Sequence, residues 1–114
     1  MATTTTTTPT CKWPGKSGQT YTYYIYSIGA SFKEEAGNYI FCKLNASGQW
    51  VPQYIGQTEN LNQRLGNHEK EVCAKRNGAT HIHAHLTSVE ATRLAEEKDL
   101  IQTYNPPCNI QHVI

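Results

Sequence analysis

The chain is short of charge of either sign. Among 114 residues, Lys and Arg number 10 and Asp and Glu 9, a formal net charge of +1. That balance excludes attachment to nucleic acid by bulk positive charge, while leaving room for a local basic site. No apolar run approaches the roughly 18 residues that a membrane-spanning helix needs. The first ten residues, MATTTTTTPT, carry neither a charged stretch nor an apolar one, so they do not read as a secretory signal, and the expected location is the cytoplasm. C-x-x-C pairs are absent, which excludes zinc-ribbon and thioredoxin-type readings. The four cysteines, Cys11, Cys42, Cys73 and Cys108, stand about thirty residues apart and are expected as free, mostly buried thiols. No internal repeat is visible.

What remains fits one domain with a modest core: hydrophobic residues make up 38%. Residues 1–19 read as a mostly disordered, threonine-rich tail, because the Thr tract has no apolar surface to offset the entropy of ordering. Residues 20–114 read as the folded domain. Residues 20–28, with Tyr21, Tyr23, Tyr24 and Tyr26, predict a tyrosine-rich edge strand. Such a strand packs by one face, or offers a platform on which bases or sugars stack. Asn38–Leu44 and Trp50–Ile55 flank the turn Asn45-Ala46-Ser47-Gly48 and predict a hairpin, with a bulge at Pro52. Thr58 predicts the cap of a helix reaching Arg76, which Asn77-Gly78 ends. Thr80–Leu86 alternates and predicts another strand of that sheet. Ser88 predicts the cap of a last helix to Tyr104, stopped by Pro106-Pro107.

Several polar residues stand where apolar ones are expected. Winding the first helix at 3.6 residues per turn puts His68 in the arc of Leu61, Leu65 and Val72, with Arg64 four residues earlier on its flank. In the last helix Glu97 sits among Leu94, Leu100, Ile101 and Tyr104, while Glu96 and Asp99 are expected to point to water. A carboxylate facing a core is costly unless it is paired or holds a cation. Arg64 could simply neutralise Glu97; alternatively Arg64 meets an anion and Glu97 a metal. Tyr39 and Tyr54 stand in the hairpin strands beside Gly37 and Gly56, where glycine permits close approach of a ligand or another backbone.

Together these residues resemble the GIY-YIG nuclease superfamily. The first motif reads Gly37-Asn38-Tyr39-Ile40 and the second Tyr54-Ile55-Gly56. Arg64 follows ten residues after Tyr54, His68 four later, then Glu97-Lys98-Asp99-Leu100-Ile101 and Pro106-Pro107-Cys108-Asn109. The segment Tyr26-Ser27-Ile28-Gly29 mimics the second motif but lacks the arginine at the right spacing. The resemblance implies an α/β (α+β) fold: a central three-stranded antiparallel sheet flanked by helices, here with an extra N-terminal strand. It implies a metal-dependent endonuclease that hydrolyses phosphodiester bonds, with DNA the expected partner. It also implies roles: Arg64 stabilises transition-state charge and Glu97 holds one Mg²⁺ or Mn²⁺. Tyr39 acts as the base, with Tyr54 hydrogen-bonding nearby and His68 as helper or alternative base. Asn109 and Gly56 support the site.

Three other readings compete. His81, His83 and His85 share one strand face and form a second candidate metal site, unless a helix covers that face or it is left wet. The domain could bind nucleic acid or protein without cutting it. Strand 20–28 could pair edge to edge with its twin, forming a homodimer that presents two sites to two strands.

Overall fold

The computed structural model describes residues 8–109. Five strands and three helices follow in the order β1 (Thr10–Pro14), β2 (Thr20–Ser27), β3 (Gly37–Leu44), β4 (Trp50–Thr58), α1 (Leu61–Gly66), α2 (Glu71–Arg76), β5 (His81–Leu86) and α3 (Glu90–Tyr104). A single 3₁₀ turn, Pro107–Asn109, closes the described chain. The sheet order is β1-β2-β5-β3-β4, and every neighbouring pair is antiparallel. The expected central trio is therefore present as β4-β3-β5.

Two expectations about the N-terminal part are corrected. Thr10–Pro14 is a strand, not part of a disordered tail, because Trp13 is 4% exposed and packs against His83 and Tyr104. Burying so large an aromatic offsets the entropy of ordering a short strand. The threonine tract at residues 1–7 lies outside the described residues. The tyrosine-rich strand is not an edge either: β1 pairs with one side of β2 and β5 with the other. A partner strand stands on each side of β2, so the edge-to-edge homodimer through residues 20–28 lacks the open edge it needs.

The sheet has two covered faces. On one, Tyr39, Phe41, Ile82 and Ala84 pack under Leu61 and Leu65 of α1 and Ala74 of α2. On the other, Trp13, Tyr23, Ile40, Cys42 and Ile55 pack with Leu100 of α3. Phe41 is opposite Tyr54 but Cys42 is opposite Pro52, which leaves Gln53 as an extra residue on β4. The bulge expected at Pro52 is thus found one residue on, in a strand that forms the sheet's edge.

The single helix expected over residues 58–76 is two short ones. Thr58 ends β4, and the side chain of Asn60 caps α1 by accepting the Gln63 N–H at 3.0 Å. Gly66 and Asn67 are poor helix formers, and the chain breaks there before α2 begins. Gly78, at φ +98°, ends α2 in the left-handed conformation that glycine adopts without strain. The last helix is capped by Val89, not Ser88, and ends at Asn105 with φ 44°. Cys73 and Cys108 are joined by a disulfide that ties α2 to the 3₁₀ turn; Cys11 and Cys42 are free thiols. The topology, not any spacing in the sequence, brings that pair together. Among the described residues no helix is long and apolar enough to cross a membrane.

Candidate active site

The site is assembled on the α1/α2 face. Tyr39 of β3 lies directly opposite Gly56 of β4. A Cβ on Gly56 would stand 2.5 Å from Tyr39 Oη and 2.9 Å from Tyr54 Cε2, so only glycine leaves room for both rings. The two tyrosine rings are 6.2 Å apart. Asn109 fixes the strand between them: its side chain accepts the Ile55 N–H and donates to the Ile55 carbonyl, both at 2.8 Å. A side-chain amide thereby does for β4 what a neighbouring strand would do.

The break between α1 and α2 delivers His68. Its Nε2 is 2.6 Å from Tyr39 Oη, and its Nδ1 accepts the Lys70 N–H at 2.9 Å. Burial first, and the charge of Arg64 second, push the imidazole down to about 4. The ring is therefore neutral at pH 7. With Nδ1 accepting, its single proton is on Nε2, which donates to the phenol oxygen.

Arg64 of α1 pairs bidentately with Glu69 at 2.7 and 2.9 Å, not with Glu97. That carboxylate raises the guanidinium further above its ordinary value, so Arg64 remains a cation. Burial pushes both Tyr39 and Tyr54 up, and the Arg64 charge opposes this at each. Glu97 comes from α3, which packs against β4. Glu97 is half-buried, and burial raises its carboxyl with no basic partner pulling it back. A carboxylate left in that condition fits a divalent cation, since Mg²⁺ is commonly held by one or two carboxylates plus substrate oxygens and water.

The structure thus brings together Tyr39, Tyr54 and His68, with Arg64 close by and with Gly56 and Asn109 supporting the strand, while Glu97 comes from α3. It does not gather the histidine stripe. His83 accepts from Trp13 Nε1 at 3.0 Å, His85 bonds Glu96, and His81 bonds Thr80 at 2.7 Å. No group of three His, Cys, Asp or Glu residues able to hold a metal occurs among the described residues. Two acids expected in water are engaged instead. Glu96 is 4% exposed and bonds Tyr23 Oη and His85, while Asp99 accepts from Ser17 and Tyr21, which hold its carboxyl below the usual range. Glu69 is the site residue that sequence reading missed. It stands five residues from Arg64, a spacing that pairs only because the helix breaks between them.

No family model and no curated protein sequence matches the chain. Solved structures do. The magnesium-bound GIY-YIG N-terminal endonuclease domain of UvrC from Thermotoga maritima is 30% identical, with 68% of this chain and 86% of that one covered at a TM-score of 0.56. The chain belongs to the GIY-YIG family. Two point mutants of the same domain, each bound to its catalytic divalent cation, align similarly. A Tyr-to-Phe form is 29% identical at TM-score 0.54, and an Asn-to-Ala form 26% identical at 0.55; each match covers 69% of this chain and 87% of the other.

Proposed function

We propose that this chain is a metal-dependent endonuclease that hydrolyses phosphodiester bonds in nucleic acid, with DNA the first substrate to test. The observation that carries this reading is the pairing of Tyr39 and Tyr54 across Gly56, with His68 Nε2 2.6 Å from Tyr39 Oη and the Arg64 charge acting on both phenols; we assign Glu97 to the same site from its place in the motif. The magnesium bound by the similar UvrC domain supports a divalent ion here, Mg²⁺ or Mn²⁺, with Glu97 as its protein ligand. When bound, that ion supplies positive charge at the scissile phosphate and the leaving oxygen.

The chain's own residues then have distinct tasks. Arg64 exchanges the exposed Glu69 carboxylate for a phosphate, whose nonbridging oxygens fit its planar fork. Its charge is placed where the transition state gathers negative charge. Tyr39 accepts a proton from the attacking water at Oη once ionised. Burial makes that ionisation costly, and the nearby Arg64 charge and the His68 Nε2–H both favour the phenolate. His68 orients the base and is not itself the base, because its Nδ1 lone pair is occupied by the Lys70 N–H. Tyr54 lies closer to solvent and positions the water or phosphate.

The test is a cleavage panel of plasmid, single-stranded DNA, branched DNA and RNA, each with Mg²⁺ and with chelator. Wild type should cut at least one substrate only with metal. Glu97→Ala and Arg64→Ala should each lose at least about 10²-fold in rate with unchanged circular dichroism. Wild-type-like cutting by either variant removes that residue from the mechanism. Metal-independent binding without any cutting assigns the chain to the non-catalytic module class.

A further inference from the structure

A groove of about 280 Å³ opens on the same face of the sheet as the paired tyrosines. Tyr24 and Tyr26 of β2 line it together with Phe32 and Lys33 of the β2–β3 connection. Ala84 of β5 is its floor, and Leu61 both lines it and belongs to the cluster that holds Tyr39. Strand register makes the relation to the site explicit. Tyr24 is opposite Ala84, Ala84 opposite Tyr39, and Tyr39 opposite Gly56. Tyr24 and Tyr39 are therefore in one row on one face, two strand spacings or roughly 10 Å apart.

Tyr24 is 46% exposed, although it is on the face that α1 and α2 cover. The Tyr26 and Phe32 rings beside it meet edge to face at 5.0 Å and are already packed against the core. Ala84 is itself buried under Leu61, so the open part of the groove is at Tyr24. Lys33 and Glu35 both line the groove, so their charges offset and the groove is no phosphate cradle. An aromatic lining with an exposed tyrosine ring and little net charge suits the π-face of a base. A second copy of the chain is a poor occupant, because a specific interface needs on the order of 1,000 Å² and β2 has no free edge.

We propose that this groove receives one unpaired nucleobase, stacked on Tyr24, from the strand whose neighbouring phosphate lies over Tyr39 and Arg64. The inference deepens the nuclease reading and rests on it for the placement of that phosphate. It narrows the substrate to nucleic acid with an unpaired nucleotide at the cut: a single strand, a flap or a branch.

Binding measured in chelator, where nothing is cut, separates the two readings. Fluorescence anisotropy would compare a labelled oligothymidylate with the same strand annealed to its complement. Wild type should prefer the single strand. Tyr24→Ala should weaken single-strand binding about 5-fold or more and leave duplex binding unchanged. Tyr24→Phe keeps the ring face and should bind as wild type does. Equal binding of the single strand by Tyr24→Ala and wild type overturns the proposal, as does an equal loss on both substrates. A concentration-dependent mass in light scattering that Tyr24→Ala abolishes would also overturn it, assigning the groove to a second copy. Single-strand binding through Tyr24 without metal-dependent cutting would support the groove and sink the nuclease reading alone.

Discussion

At the scale of single residues, the site is governed by what is missing as much as by what is present. Gly56→Ala would place a methyl group against two rings that are already packed, and Tyr39, at 1% exposure, has nowhere to go. We expect the rate of any cleavage to fall at least about 10²-fold and stability by roughly 1–3 kcal/mol, read by a nuclease assay beside thermal denaturation. Tyr39→Phe should abolish cleavage without unfolding the chain; an active variant would move the base elsewhere. Glu69→Gln frees Arg64 from its carboxylate. It should lower the KM for a cleavable substrate, and an unchanged or higher KM would show that Glu69 does not compete with the phosphate.

Two buried imidazoles set the pH dependence of stability. His68 and His83 are each pushed down to about 4, mainly by burial, from an ordinary value near 6.5. Between those values the unfolded chain binds more protons than the folded one, so stability rises with pH across that window and is fully present above it. At pH 5 each ring adds roughly 1 kcal/mol per pH unit to that slope. Denaturant titrations near pH 5 should show a slope smaller by about that amount in His83→Gln. A variant with the wild-type slope would mean that His83 is not a buried neutral ring.

At the scale of elements, the motif residues were legible because their order and spacing survive any local error. Tyr39, Tyr54 and Arg64 come near one another although the stretch between β4 and β5 is two short helices, not one. His68 was found for a mistaken reason. Reading it four residues after Arg64 on a continuous helix put it beside the arginine, whereas the break at Gly66 swings it beneath Tyr39. Glu96 and Glu97 show the complementary failure. A helical wheel gives α3 one buried side, but α3 meets two things: the core around Ile40 and Ile55, through Leu100, and the Tyr23 hydroxyl of β2, through Glu96. The second partner could not be placed without knowing that β2 docks beside β5. Glu96→Ala would leave Tyr23 Oη and His85 without their shared acceptor, costing about 2–4 kcal/mol in chemical denaturation. A loss below 0.5 kcal/mol, the size of an ordinary surface change, would mean that the acid is dispensable.

At the scale of the whole molecule, one covalent link joins parts that the sequence leaves far apart. The Cys73–Cys108 disulfide fastens α2 to the turn carrying Asn109, and Asn109 holds Ile55 between the motif residues Tyr54 and Gly56. Reduction, or Cys73→Ser with Cys108→Ser, should cost about 2–4 kcal/mol of stability, read as a lower denaturation midpoint in a thiol reductant. A midpoint indifferent to reductant would mean that the 3₁₀ turn is held by Asn109 alone.

The surplus residue on β4 reaches further than its size suggests. Side chains along a strand alternate sides, so Trp50, Pro52 and Tyr54, all even-numbered, ought to project the same way. They do not: Trp50 and Pro52 register with Leu44 and Cys42, whereas Tyr54 registers with Phe41. Gln53 resets the parity, and by that odd count the tryptophan goes to the histidine stripe while the tyrosine turns toward its partner phenol. A chain shortened by that one glutamine would pair Pro52 with Cys42 and Tyr54 with Phe41 in an unbroken ladder, so the two tyrosines would stay on one side and only the local kink and twist of the strand would go.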